Sequence, residues 1–425
     1  MVLLVPRIGI LILALRNPGA CLVPDSTSYL QLGHNLWTVH QFSSSPQAPY
    51  TPEAIRLPVY PLIVGIFTTV FGLPYPAVAV FQFFLGLITA LLAWRWLRKM
   101  GSHDGALLCA LILGCDWVVL FHTPLLIAET LLTLILLLAI QASWAAMNSY
   151  RLREVSLAGL LWGLSSITKP VGILLPMAIS PLFFKKKGCV LLFLFTSYLP
   201  PALWMARNHH ALGYAALTSQ AGFDLLTHPA SAIEAYRTGT DWGKTRELLT
   251  EQIDRDHPGG YHNDFEKSRV YQEAALKIFK EHPILFARLC FAGALKMLAG
   301  TGLEMLPQML PSYHAERTKF SIHAYGQGTI GLLHRYPALI PIQILYMCAL
   351  GLSYLLFFAG LARLWQQDLK IQAVFLGLGA LYFLAVASHQ GYYRFRIPMM
   401  PFLAIGAAAA FGGLTPRMTR KGYVP

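Results

Sequence analysis

Charge is scarce in this chain of 425 residues: Asp, Glu, Lys and Arg make up 12% of it, 55% is hydrophobic and mean hydropathy is +0.51. Too few polar side chains remain to coat a soluble particle of that size, which excludes a water-soluble globule and makes the bilayer the solvent. Cysteine is sparse too. Cys21, Cys109, Cys115, Cys189, Cys290 and Cys348 show no CxxC or paired spacing and mostly sit in apolar runs, so neither a disulfide framework nor a metal site is indicated. The sequence has no internal repeat, no low-complexity tract and no nucleotide-binding glycine motif. The net charge of +13 does not point to nucleic acid either. Residues 207–336 hold 14 Lys/Arg against 13 Asp/Glu and the rest 19 against 7, so the basic excess lies at membrane edges, not on a folded soluble patch.

What is present is a series of apolar runs. Tyr336–Ala362, Ile371–Tyr393 and Ile397–Pro416 carry no formal charge, and each is long enough to cross a hydrocarbon core of roughly 30 Å as a helix. Further spans are expected at Val2–Leu15, Ala77–Trp94, Ala106–Phe121, Thr130–Met147, Val155–Thr168, Pro170–Phe184 and Cys189–Ala206. In lipid these must be helical, because an unpaired backbone group there costs several kcal/mol. A cleavable signal peptide is the competing reading of the N-terminus. Arg7 interrupts that run and no small-residue cleavage site follows before Asp25, which favours a retained helix. Leu57–Phe71 and Ile284–Ala299 read as helices lying in the outer interface, so ten spans are expected, with up to thirteen open.

Orientation follows from the basic residues. Arg95, Arg98 and Lys99; Arg151 and Arg153; Lys185, Lys186 and Lys187; Arg363 and Lys370; and Arg417, Arg420 and Lys421 mark five short cytoplasmic loops or tails. The segment from the first helix to Ala77, the turn at His122–Glu129, the Lys169-Pro170 junction, residues 207–336 and the Ser388–Arg396 loop then lie on the outer face. Three regions result: 1–206, a membrane module whose first outer loop spans 17–76; 207–336, an extracytoplasmic and mostly helical segment with an interfacial helix; and 337–425, the C-terminal membrane helices. The expected fold class is an all-α polytopic membrane protein, a helical bundle with juxtamembrane helices on its outer face.

Ionisable residues near membrane depth are costly and usually functional, and here they gather on the outer side. They are Asp25, Arg56, Glu129, Lys169, Arg207, Arg394 and Arg396. Physically, this set suits a phosphate-linked lipid donor: a carboxylate acts as general base on an acceptor hydroxyl or amine, and cations neutralise the departing polyprenyl phosphate. Arginine fits that task because its planar fork pairs two phosphate oxygens. Each residue also has a plainer reading. Arg56 and Lys169 are snorkelling anchors if they merely end helices, and Asp25 and Glu129 are helix caps if they merely begin them.

The motifs Asp25-Ser26-x-x-Tyr29-Leu30, Arg56-x-Pro58-x-Tyr60-Pro61-Leu62, Ala128-Glu129-Thr130-Leu131, Gly163-Leu164-x-x-Ile167-Thr168-Lys169-Pro170, Arg207-Asn208-x-x-x-x-Gly213 and Arg394-Phe395-Arg396-Ile397-Pro398-x-x-Pro401 occur in one order over nearly the whole chain. In that order the chain resembles GT-C membrane glycosyltransferases, in the branch of protein O-mannosyltransferases and aminoarabinose (lipid A) transferases. The resemblance implies a GT-C-type bundle and inverting transfer of a sugar from a polyprenyl-phosphate monosaccharide to a lipid, glycan or protein outside the cytoplasm. It implies Asp25 as base, Glu129 assisting, Arg56, Lys169, Arg207, Arg394 and Arg396 as donor-phosphate contacts, and Tyr29, Tyr60 and Asn208 shaping the substrate site. No cofactor is required, and a divalent cation is left without support because Ser26 stands where many relatives carry a second acid. Lys169 stands where an arginine is common. A bacterial host would place the protein in the inner membrane with a periplasmic site.

The remaining polar residues read as structural. His209-His210 lack ligand spacing, His122 and His389 end helices, and Asp116 pairs with another helix. A polytopic lipid or solute transporter, or flippase, is the alternative function; its charges belong near the midplane with exits on both faces.

Overall fold

The computed structural model describes residues 3–183, 186–309, 331–412 and 414, and no β-strand occurs among them. The chain is an all-α, multi-pass membrane protein. In chain order the helices used below are α1 (Leu4–Arg16), α2 (Pro24–Thr38), α3 (Val59–Gly65), α4 (Pro76–Lys99), α5 (His103–Cys115), α6 (Trp117–His122), α7 (Glu129–Ser149), α8 (Leu152–Thr168) and α9 (Lys187–Leu212). Then come α10 (Gln220–Leu225), α11 (Ser231–Thr238), α12 (Trp242–Arg255), α13 (Asp264–Glu281), α14 (Pro283–Ala299), α15 (Ile340–Gln366), α16 (Lys370–Ala387) and α17 (Met400–Ala409).

Among the described residues, five helices are long and apolar enough to cross a bilayer: α4, α7, α9, α15 taken from Pro337, and α16 taken to Gln390. Large apolar side chains stand outward on them, such as Leu345 and Leu355 on α15 and Leu191 and Phe195 on α9, which is the arrangement lipid favours over water. The other expected spans are shorter or broken, and the reasons are local. The run Val2–Leu15 gives α1, whose 13 residues reach only about 20 Å. Ala106–Phe121 breaks at Asp116, which leaves helical geometry and caps α6 by accepting from the Val119 N–H at 3.1 Å. Pro170–Phe184 is divided into short turns around Pro170, Pro176 and Pro181. Lys185, Arg417, Arg420, Lys421 and the end of the last expected span lie outside the described residues.

Arg95, Arg98, Lys99, Arg151, Arg153, Lys187, Arg363 and Lys370 all sit at or beyond one end of their helices. Glu129 begins α7, Lys169 follows α8, Arg207 lies near the end of α9 and Arg394 follows α16. The basic clusters and the expected site residues therefore occupy opposite ends of the same helices, as the charge pattern predicted.

The bundle around the site packs through small residues. A Cβ on Gly159 would stand 2.7 Å from the Phe193 carbonyl oxygen, and one on Gly163 2.6 Å from that of Ser197, so α8 meets α9 backbone to backbone through a small-xxx-small face. Against its other side lies α7, while α17 packs on α5, α15 and α16. Residues 220–281 form a separate cap with its own core of Leu226, Ala230, Ile233, Ile253, Tyr271, Ala275, Ile278 and Phe279. Pro283 then turns the chain by 103° into α14, since proline cannot continue the helix before it and forces His282 out of helical geometry. Ile284, Phe291 and Leu295 remain exposed on α14.

Candidate functional site

Five separate pieces of chain bring the site together. Asp25 lies in the first turn of α2, after a start set by Val23 and Pro24, and Ser26 Oγ accepts from the Val23 N–H at 3.0 Å. Ser26 therefore does the capping and leaves the Asp25 carboxylate free to reach sideways. Arg56 stands in the loop before α3, where Glu53 Oε1 accepts from the Ile55 N–H at 2.8 Å and the Arg56 N–H at 3.2 Å and so fixes the turn. Glu129 begins α7, and Lys169 ends α8 in extended backbone imposed by Pro170. Arg394 comes from the short turn after α16.

These five side chains form one ion network. Arg56 Nη2 donates to Asp25 Oδ1 at 2.8 Å and its Nε to Ser28 Oγ at 3.2 Å. Lys169 Nζ reaches Glu129 Oε1 at 2.5 Å. Arg394 spans both acids, with Nε 2.9 Å from Glu129 Oε1 and Nη2 3.5 Å from Asp25 Oδ2. Three cations against two carboxylates leave one positive charge in excess. Burial pushes the Asp25 carboxyl up, but Arg56 and Arg394 outweigh it and hold the group below its ordinary range, so it is an anion at neutral pH. Tyr29 stacks edge-on against Tyr60 at 4.9 Å and lies under the Arg56 guanidinium at 5.3 Å, and burial raises its phenol well above the usual value.

The network lines one wall of a cavity of about 470 Å³ that Tyr29, His122, Thr168 and Phe395 also border. His122 is buried, its Nδ1 bonded to the Val118 carbonyl at 2.7 Å and its Nε2 without a hydrogen-bond partner among the described residues. The proton on Nδ1 leaves Nε2 as an acceptor toward the cavity. The cap and its neighbour turn supply a second part of the lining: Gln220, Asp224, His228, Trp242, Arg246 and Gln390. Sequence reading missed these residues, since five of them stand in the polar 207–336 segment and Gln390 is an uncharged residue at the end of the Ile371–Tyr393 run. Among the described residues no three of His, Cys, Asp and Glu come together as a metal-binding group.

Other expected site residues lie elsewhere. Arg396 was expected at the donor phosphate, yet it is fully buried behind the site. Its Nη1 donates to the carbonyls of Met297, Leu298 and Gly300 at 2.8–3.1 Å, and its Nη2 contacts Tyr346 Oη at 3.0 Å and Asp116 Oδ2 at 3.4 Å. That places it as the partner of Asp116, whose other bond is from the Tyr346 hydroxyl at 2.7 Å. Arg207 donates to the carbonyls of Glu53 at 3.0 Å and Phe42 at 3.2 Å, and Asn208 to those of Ala216 and Leu217, so this pair ties the end of α9 to the first outer loop and to the chain that follows α9, outside the cavity. Tyr60 is buried behind Tyr29 and donates to Gln82 Oε1 at 2.8 Å.

Comparison with known proteins adds two findings. Residues 51–203 match the family model described as dolichyl-phosphate-mannose-protein mannosyltransferase, a stretch that carries Arg56, Glu129 and Lys169. The match bears out the resemblance to GT-C membrane glycosyltransferases. Among solved structures, the archaeal oligosaccharyltransferase AglB from Archaeoglobus fulgidus, in complex with an inhibitory peptide and a dolichol-phosphate, superposes with a TM-score of 0.46 at 13% identity over 91% of this chain. The chain spans 46%, about half, of that protein. No curated protein matches.

Proposed function

We propose that this protein transfers a sugar from a polyprenyl-phosphate monosaccharide to an acceptor on the non-cytoplasmic face of the membrane, with inversion at the anomeric carbon. One observation carries the reading: Asp25 and Glu129 share a cavity with Arg56, Lys169 and Arg394, and the five together hold one positive charge in excess. A phosphodiester donor brings one negative charge and neutralises it. The family described as dolichyl-phosphate-mannose-protein mannosyltransferases supports a lipid-phosphate sugar as donor class.

In the reaction the acceptor hydroxyl or amine attacks the anomeric carbon, and its proton passes to the Asp25 carboxylate. The bond between that carbon and the phosphate oxygen breaks, and its electron pair leaves on the lipid phosphate. The phosphate charge then approaches about −1.5 to −2, and Arg56, Lys169 and Arg394 stabilise it where it develops. Glu129 holds Lys169 and Arg394 in position for that task. We place the site on the non-cytoplasmic face, which in a bacterial host is the periplasmic face of the inner membrane, because the basic loops at the opposite helix ends mark the cytoplasmic side.

The test compares wild type with Asp25→Asn expressed to matched membrane levels, followed by mass spectrometry of glycolipids, envelope glycans and surface proteins. A sugar adduct present with wild type and lost with Asp25→Asn is the expected result and identifies sugar and acceptor. Identical profiles, with a difference confined to lipid or solute flux, would overturn the reading in favour of a transporter.

A further inference from the structure

Gln220, Asp224 and Gln390 line the same cavity as the ion network and take no part in the mechanism above. Asp224 Oδ2 accepts from Gln220 Nε2 at 3.1 Å and from Gln390 Nε2 at 3.4 Å. Gln220 and Asp224 belong to the cap helix α10, whereas Gln390 belongs to the turn after α16. The trio thus joins cap to membrane bundle at the cavity that Asp25 also lines. Among the described residues no Lys or Arg lies within ion-pairing distance of Asp224, in contrast to Asp25 and Glu129. Asp224 Oδ1 and the two amide oxygens take no part in the bonds just described, which leaves an acceptor-rich wall. Trp242 stands beside it with a buried indole N–H that has no hydrogen-bond partner among the described residues.

We propose that Gln220, Asp224 and Gln390 form the subsite that binds the hydroxyl groups of the transferred sugar and sets which sugar is accepted; this rests on the glycosyltransferase reading. A lipid phosphate has no use for such a wall, because it presents acceptors to acceptors. A sugar presents several hydroxyl donors, and a carboxylate flanked by two amides receives them while the amide N–H groups bond back. The arrangement also fixes polarity: cations grip the phosphate, the anomeric carbon lies between the cations and the trio, and the ring hydroxyls meet the cap. Burial pushes Asp224 up to about 6 despite the Gln220 hydrogen bond and the more distant Arg56 and Lys169, and the hydroxyl donors of a sugar supply further bonds to its carboxylate. A site that hydrogen-bonds hydroxyls discriminates strongly, because a sugar lacking one leaves a buried acceptor unpaired.

The experiment measures binding to the full chain in lipid nanodiscs, using a synthetic polyprenyl phosphate and the same lipid as its mannosyl, glucosyl, N-acetylglucosaminyl and 4-amino-arabinosyl phosphodiesters. Wild type is expected to bind bare polyprenyl phosphate and to bind one sugar lipid at least 10-fold more tightly. Asp224→Asn and Gln390→Ala are expected to keep bare-phosphate affinity within 2-fold and to lose that gain. If the gain survives both variants, or wild type shows none, the subsite is overturned while the lipid-phosphate reading stands. If both variants lose bare phosphate as well, Gln220→Ala decides, and the same loss there overturns the subsite because the trio is assigned to the sugar alone. A wild type that binds none of the lipids, with Arg56→Ala no different, overturns the parent reading and the subsite with it.

Discussion

Arg394 Nε lies 2.9 Å from Glu129 Oε1, so a guanidinium from the C-terminal third of the chain closes on the first residue of α7. Its other arm reaches Asp25 at 3.5 Å, which makes Arg394 the one side chain of this network that touches both acids. A lysine carries the charge but not the fork. Arg394→Lys is expected to keep the fold and lower kcat/KM by about 10- to 100-fold, the range of one to two charge-assisted hydrogen bonds. Steady-state kinetics with a polyprenyl-phosphate sugar checks this; an unchanged kcat/KM would remove Arg394 from the site.

Asp25 is the assigned base of the network, Glu129 being ion-paired with both Lys169 and Arg394 and Asp224 being assigned to the sugar. Loss of a general base costs about 10²- to 10⁴-fold in rate. Asp25→Asn should therefore lower kcat by at least 100-fold and leave donor KM within a few-fold. Arg56 and Arg394 hold Asp25 below the ordinary carboxylate range. The group stays an anion down to that depressed value, so the wild-type rate should show no loss from this residue between pH 8 and 5 and fall only on further acidification. A rate that already declines on the way from pH 8 to 6 would assign the base to another group.

Positive charge in this site comes from side chains already engaged with both carboxylates. A divalent ion would have to displace Arg394 or Arg56 and stand beside the remaining cations, which is electrostatically unfavourable. Transfer is expected to be unchanged within 2-fold after treatment with EDTA, measured on washed membranes. A loss reversed by added magnesium or manganese would show that the cations do not suffice.

The fold class was legible because composition and the positions of Lys and Arg report directly on burial in lipid. Asp25, Arg56, Glu129, Lys169 and Arg394 were legible for the same reason: a charge next to an apolar run is conspicuous. Arg396 has the same appearance in sequence and differs only through Asp116 and Tyr346, which come from distant parts of the chain. Nothing local distinguishes a phosphate arginine from one that binds three carbonyls. Gln220 and Asp224 were illegible for the opposite reason, since polar residues in a polar cap carry no contrast, and Gln390 is an uncharged residue at the end of an apolar run. Span lengths failed where hydropathy averaged over helix breaks at Asp116 and the prolines between 170 and 181.

The Asp116–Arg396 pair supports the bundle rather than the reaction. Both residues are buried, and the pair ties α6 to α15 through Tyr346 and to the carbonyls near the end of α14. Removing one member of a buried pair strands the other, at a cost of about 3–5 kcal/mol. Arg396→Ala and Asp116→Ala should each lower the thermal midpoint in detergent strongly, and the double variant should lose less than the sum. Milder Arg396→Lys should leave donor KM unchanged. A raised KM with an unchanged midpoint would return Arg396 to the donor site.

Asp224 makes stability depend on pH in a direction that can be worked out. Its carboxyl is raised from 3.8 to about 6 by burial, so between those values the folded protein holds a proton that the unfolded chain has released. Stability then falls as pH rises from 4 to 6, because ionising the buried group costs more in the fold than in water. Below pH 4 both states are protonated and the penalty vanishes; above 6 it is complete. Asp224→Asn carries no such penalty at any pH. The difference between the thermal midpoints of Asp224→Asn and wild type should therefore be smallest at pH 4, grow through pH 6 and level off by pH 7. Taking the difference removes the titrations that the two proteins share, including that of His228, which burial lowers to about 4. A constant difference from pH 4 to 7 would mean that Asp224 is not held out of water in the cavity wall.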